Sequence, residues 1–99
     1  MFEITKNIEN QKAVLALKGK LDTTTAPELD KTINEIISDI KELVFDFADL
    51  EYISSAGLRV LLSAQKAMNA RGEMKLKNVG ETVMEIFEVT GFSDILTIE

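Results

Sequence analysis

The side chains best placed for chemistry are hydroxyls and carboxylates. Ser54-Ser55-Ala56-Gly57 sets two adjacent serines before two very small residues, and Asp22-Thr23-Thr24-Thr25 gathers one carboxylate and three hydroxyls. Asp46 and Asp49 stand inside and just after the apolar run Leu43-Val44-Phe45-Asp46-Phe47. A serine nucleophile needs an activating base. The chain has no histidine, so only lysine or a carboxylate is on hand, and no Gly-x-Ser-x-Gly elbow surrounds either serine. With no cysteine, disulfides, thiolate nucleophiles and cysteine-ligated zinc are excluded. The glycines Gly19, Gly57, Gly72, Gly80 and Gly91 are isolated and form no phosphate-cradling loop. An enzyme acting on its own is not expected, and neither a cofactor nor a metal is implied.

Asp46 invites comparison with receiver-type phosphotransfer, in which an aspartate after a central strand accepts the phosphoryl group. That chemistry also needs an acidic pair after the first strand and a late lysine. Here the first strand ends Asn7-Ile8-Glu9, and no lysine follows the last candidate strand. Asp46 is therefore expected to be a strand residue facing a loop or an end of the sheet. At 54–55, local physics alone favours a plain helix start. Serine is a preferred N-cap because its oxygen accepts from a free first-turn N–H. Ala56 and Gly57 would let the helix begin close to a sheet.

The surrounding elements follow from periodicity. Phe2, Ile4 and Ile8 alternate with polar residues, which predicts a strand over 2–8. Glu9-Asn10-Gln11 is a turn, and residues 12–18 read as a second strand, apolar on both faces and hence internal. Gly19-Lys20-Leu21-Asp22 closes it. Thr25 and Glu28 have capping-box spacing around Pro27, opening an amphipathic helix over 27–39 with Leu29, Ile33, Ile36, Ile37 and Ile40 on one face. Residues 43–47 predict a short buried parallel strand. A second helix runs from the Ser54-Ser55 step to Arg71-Gly72, with Leu58, Leu61, Leu62 and Met68 inward. Residues 74–77 alternate like a strand. Val83, Ile86 and Phe87 mark a helix stopped at Gly91, and 95–98 reads as a last edge strand. The order β-β-α-β-α-β-α-(β) predicts an α/β fold: a mixed sheet of four or five strands, an antiparallel hairpin followed by parallel strands, with helices packed against it.

Ninety-nine residues make one small domain, spanning 1–99. Apolar residues are 45% and charged residues 28%, enough for a core and too apolar for a disordered chain. The net charge of −6 opposes nucleic-acid and anionic-membrane partners. No run approaches the ~18 apolar residues of a spanning helix, and the N-terminus lacks a signal peptide's basic and apolar regions. A cytoplasmic, monomeric domain is expected.

Taken together, several segments resemble the STAS domains, specifically the small single-domain bacterial anti-sigma factor antagonists. Asp49-Leu50, Tyr52-Ile53, Ser55 and Gly57-Leu58 follow that family's signature. Ser54 stands where the family usually has Asp, Ala56 replaces a Ser or Thr, and Arg59 replaces a Gly. Gly19-Lys20-Leu21-Asp22 matches a Gly-x-Leu-Asp at the end of the second strand, and residues 83–92 resemble the family's last helix and glycine turn. The resemblance implies a partner-switching protein. It sequesters an anti-sigma factor that is also a serine kinase, of the GHKL type, and so releases a sigma factor. Phosphorylation of Ser55 ends that binding, and a PP2C-type phosphatase restores it. Asp22, Thr23, Ser54, Ser55, Ala56, Gly57 and Leu58 are the partner-binding residues so implied, with the small Ala56 and Gly57 letting the kinase approach the Ser55 backbone. A phosphoserine adds about −1.5 to −2 charges, which the free N–H groups of a helix start can accommodate. The alternative within the same family is a constitutive interaction subunit of a transport or signalling complex, never phosphorylated.

Overall fold

The computed structural model describes residues 2–99. Strands β1 (Glu3–Glu9), β2 (Lys12–Leu21), β3 (Glu42–Ile53) and β4 (Glu73–Lys77) form one sheet in the order β1-β2-β3-β4. The hairpin β1/β2 is antiparallel, turning on Asn10 and Gln11, both at positive φ. Helix α1 (Ala26–Ile36) carries the chain from β2 to a parallel β3, and α2 (Ser55–Asn69) from β3 to a parallel β4. Helix α3 (Glu81–Thr90) ends at Gly91, whose φ of 81° supplies a left-handed cap.

Along β2, β4 and the first half of β3, every second residue points to the helices. Ala13, Leu15 and Leu17 lie beside Leu43, Phe45 and Phe47, then Met74 and Leu76. Onto this face pack Leu29, Ile33 and Ile36 of α1, Leu58, Leu61, Ala64 and Met68 of α2, and Val83 and Phe87 of α3. Phe47 meets Phe45 and Phe87 at ring-centroid distances of 5.8 and 6.4 Å. Each such ring removed from water contributes about 1.5–3 kcal/mol, so the three phenylalanines anchor the centre of the core. The opposite sheet face presents Thr5, Asn7, Val14, Ala16, Val44, Asp46, Lys75 and Lys77, of which only Val44 is buried.

Four local expectations are revised. The run expected at 43–47 is part of a twelve-residue strand, because β2 itself continues to Leu21 and keeps offering partners. The helix expected over 27–39 is α-helical only to Ile36 and tightens to a 3₁₀ turn over Ile37–Asp39. The Thr25–Glu28 capping box does not form: the Thr25 hydroxyl accepts from the Asp22 N–H at 2.8 Å and donates to the Lys20 carbonyl at 2.9 Å. Residues 95–98 give no strand, only a single parallel bridge between Leu76 and Ile98.

Candidate functional site

Parallel pairing brings the C-terminal ends of β2 and β3 together, with Leu21 opposite Ile53. The Ser54 N–H then donates to the Leu21 carbonyl at 2.8 Å. The chain leaves β2 at Asp22 and leaves β3 at Ser54, so the Asp22–Thr25 loop and the start of α2 are neighbours by construction. Between pairs Ala16–Asp46 and Lys18–Asp49, β2 advances two residues while β3 advances three. Between Gly19–Leu50 and Lys20–Tyr52 it advances one while β3 advances two. Each bulge puts an extra residue into β3 and strengthens its twist. The inward residues therefore fall at Phe47, Leu50 and Ile53.

The two serines do different things. Ser54 is the N-cap of α2, extended at φ −97° and ψ 176°, half-buried, with its Oγ accepting from the Gly57 N–H at 3.4 Å. Its carbonyl accepts from the Leu58 N–H at 2.9 Å. Ser55 is the first helical residue and is exposed. Its hydroxyl thus stands at the positive end of the helix dipole, in solvent. In the adjoining loop, Asp22 Oδ1 accepts from the Thr24 hydroxyl at 2.8 Å and from the Thr24 and Thr25 N–H groups at 3.0 and 3.1 Å. The Thr24 hydroxyl bond, with these backbone bonds, holds the Asp22 carboxyl below its usual range. Asp22 therefore shapes the loop, while Thr23 projects from it into solvent.

Gly57 and Leu58 are buried, unlike their neighbours. A Cβ on Gly57 would lie 2.8 Å from both Leu21 Cγ and Ile53 Cγ1. Gly57 therefore has a packing reason to be small: its absent side chain lets α2 start against the ends of β2 and β3. Leu58 likewise serves the core, and neither residue belongs to the exposed surface.

Beside Ser55 runs a groove of about 410 Å³ between α1 and α2. One wall is Thr23, Ala26, Pro27 and Asp30, and the other is Ala56, Arg59, Val60 and Ser63. Sequence reasoning passed over this groove. Its signal was the 56-59-60-63 spacing, one face of a helix lying next to the buried one. Asp46 lies within β3, opposite Lys77 at the end of β4, and faces the loop that follows. Its Oδ1 accepts from the Asn78 amide at 3.0 Å and the Ala48 N–H at 3.1 Å, and the Asn78 bond is the main cause of its lowered pKa. Among the described residues, no group of three or more acidic side chains could hold a metal ion, and no helix is long and apolar enough to cross a membrane.

The profile of the STAS domain matches residues 2–99. The chain belongs to the STAS domain family. The anti-sigma-B factor antagonist of Listeria monocytogenes is 32% identical over 85 residues, covering 82% of this chain and 73% of that one. The anti-sigma-B factor antagonist of Bacillus subtilis is 29% identical over 83 residues, covering 83% and 76%. In fold, this STAS domain superposes on an anti-sigma factor antagonist from Mycobacterium paratuberculosis with a TM-score of 0.89 at 20% identity, over 99% of this chain and 85% of that one.

Proposed function

We propose that this STAS domain is an anti-sigma factor antagonist: a binding module, not an enzyme, that sequesters an anti-sigma factor and so releases a sigma factor for transcription in the cytoplasm. The anti-sigma factor is also a serine kinase. It transfers the γ-phosphoryl group of ATP to Ser55 Oγ; the O–P bond forms, ADP departs and the hydroxyl proton is released. A PP2C-type phosphatase hydrolyses the ester and restores binding.

The observation that carries this proposal is the division of labour between the serines. Ser54 is held at its N–H by Leu21 and at its Oγ by Gly57, whereas Ser55 is exposed on the first helical turn. The names of the Listeria and Bacillus relatives support it. Exposed Thr23 and half-buried Asp22, Ser54 and Ala56 flank Ser55 as the remaining contact residues. Two negative charges added there oppose a partner surface that presents carboxylates or ATP phosphates.

Incubation with ATP and a GHKL-type anti-sigma kinase, followed by peptide mapping, tests the assignment. Phosphate on Ser55 is expected. Phosphate confined to Ser54 or to a threonine of the 23–25 run would remove Ser55 from the mechanism. Ser54 in place of the family's aspartate favours the second reading, a constitutive interaction subunit, and a chain that stays unmodified throughout would establish it.

A further inference from the structure

Arg59 follows Ser55 by four residues on α2. Side chains at that spacing are neighbours on a helix surface, about 5–6 Å apart at Cβ, and an acidic group four residues before a basic one is the favourable order. Both residues are exposed. Among the described residues Arg59 enters no ion pair and no side-chain hydrogen bond, whereas Arg71 donates to the Ser38 carbonyl. Arg59 also lines the groove between α1 and α2, with Asp30 on the facing wall. The two are not closed into a salt bridge. Its guanidinium is thus uncommitted, within reach of an anion at Ser55, and part of the groove's wall.

We infer that Arg59 is the residue that reads the phosphate on Ser55: its guanidinium closes on the phosphate oxygens and withdraws from the groove, leaving Asp30 as the charge there. The inference rests on Ser55 being the phosphorylated residue. A guanidinium presents a planar fork of N–H donors that matches a phosphate, and a charge-assisted pair of this kind is stronger than a neutral hydrogen bond. Before modification the groove walls carry one positive and one negative side chain. Afterwards the positive one is engaged by the phosphate, so a partner carboxylate seated against Arg59 loses its counter-ion. One modification then changes both the helix start and the groove beside it.

The test installs phosphoserine at position 55 during synthesis, so that no kinase is needed. The second ionisation of the phosphate is followed by phosphorus NMR in the wild type, Arg59→Gln and Arg71→Gln. An adjacent cation favours the dianion, so the wild-type pKa should lie below that of Arg59→Gln by about 0.3 pH unit, roughly twofold in proton affinity. Arg71→Gln should match the wild type. A difference of about 0.2 unit or more, confined to Arg59→Gln, bears the inference out. A smaller difference, or an equal shift from Arg71→Gln, overturns it. Failure of a kinase to modify Ser55 would instead count against the proposed function, because the NMR measurement does not depend on it.

Discussion

Ser54 and Ser55 are chemically identical and one residue apart, yet the helix start separates them. Ser54 Oγ is spent on the Gly57 N–H at 3.4 Å. That bond is long, so Ser54→Ala should cost about 0.5–1 kcal/mol, the low end for an N-cap, while phosphate incorporation at Ser55 persists. Urea unfolding and a kinase time course measure the two separately. Gly57 makes the opposite kind of demand. A single methyl there meets Leu21 Cγ and Ile53 Cγ1 at 2.8 Å, and neither atom is the free end of its side chain. Gly57→Ala is expected to destabilise by about 1–3 kcal/mol as overpacking, despite alanine's better helix propensity. Gly57→Val should be worse. Unchanged urea midpoints would show that the helix start can move away from the sheet at little cost.

At the scale of elements, the site depends on how β2 and β3 end. Gly19 sits at φ 97° between the two register shifts. An L side chain there is strained by about 1–3 kcal/mol, so Gly19→Ala should lower the urea midpoint, and it should also slow phosphorylation by disturbing the Leu21–Ser54 junction. The Asp22 loop adds a pH dependence. Its carboxyl titrates below the ordinary aspartate range in the fold. The charged loop thus favours folding above the unfolded-chain value near 4, and this contribution is lost as the pH falls through the folded value. Asp22→Asn should therefore show a smaller stability loss than wild type as the pH falls below about 4. The same elements explain what the sequence disclosed. Helices α1 and α2 were legible because Leu29-Ile33-Ile36 and Leu58-Leu61-Met68 repeat at helical spacing over several turns. The second half of β3 was not, because its bulges move the inward residues to Phe47, Leu50 and Ile53, which breaks the alternation that identifies a strand. The final strand is absent for another reason: Ile95-Leu96-Thr97-Ile98 is apolar and β-rich, but it reaches β4 at Leu76 alone, through a single bridge at Ile98. Gly57 was visible as a residue, but its reason lay in Leu21 and Ile53, contacts that only the assembled sheet creates.

For the whole molecule, one sheet face covered by helices and a net charge of −6 describe a platform that presents a short surface at one end of its sheet. The strands terminate there, the Asp22 loop and the start of α2 meet there, and the groove holding Arg59 opens beside them. A phosphate on Ser55 does not enter the core, so it should change binding without unfolding the domain. Calorimetric titration of the wild type, Ser55→Ala and Ser55→Asp against the cognate anti-sigma factor tests this most directly, with melting curves confirming that all three are folded. Ser55→Ala should bind like the wild type. Ser55→Asp, which carries one charge where phosphate carries nearly two, should bind more weakly by about 2 kcal/mol, some thirtyfold. Equal affinity for all three would contradict the account and leave Ser55 as no more than the first residue of a helix.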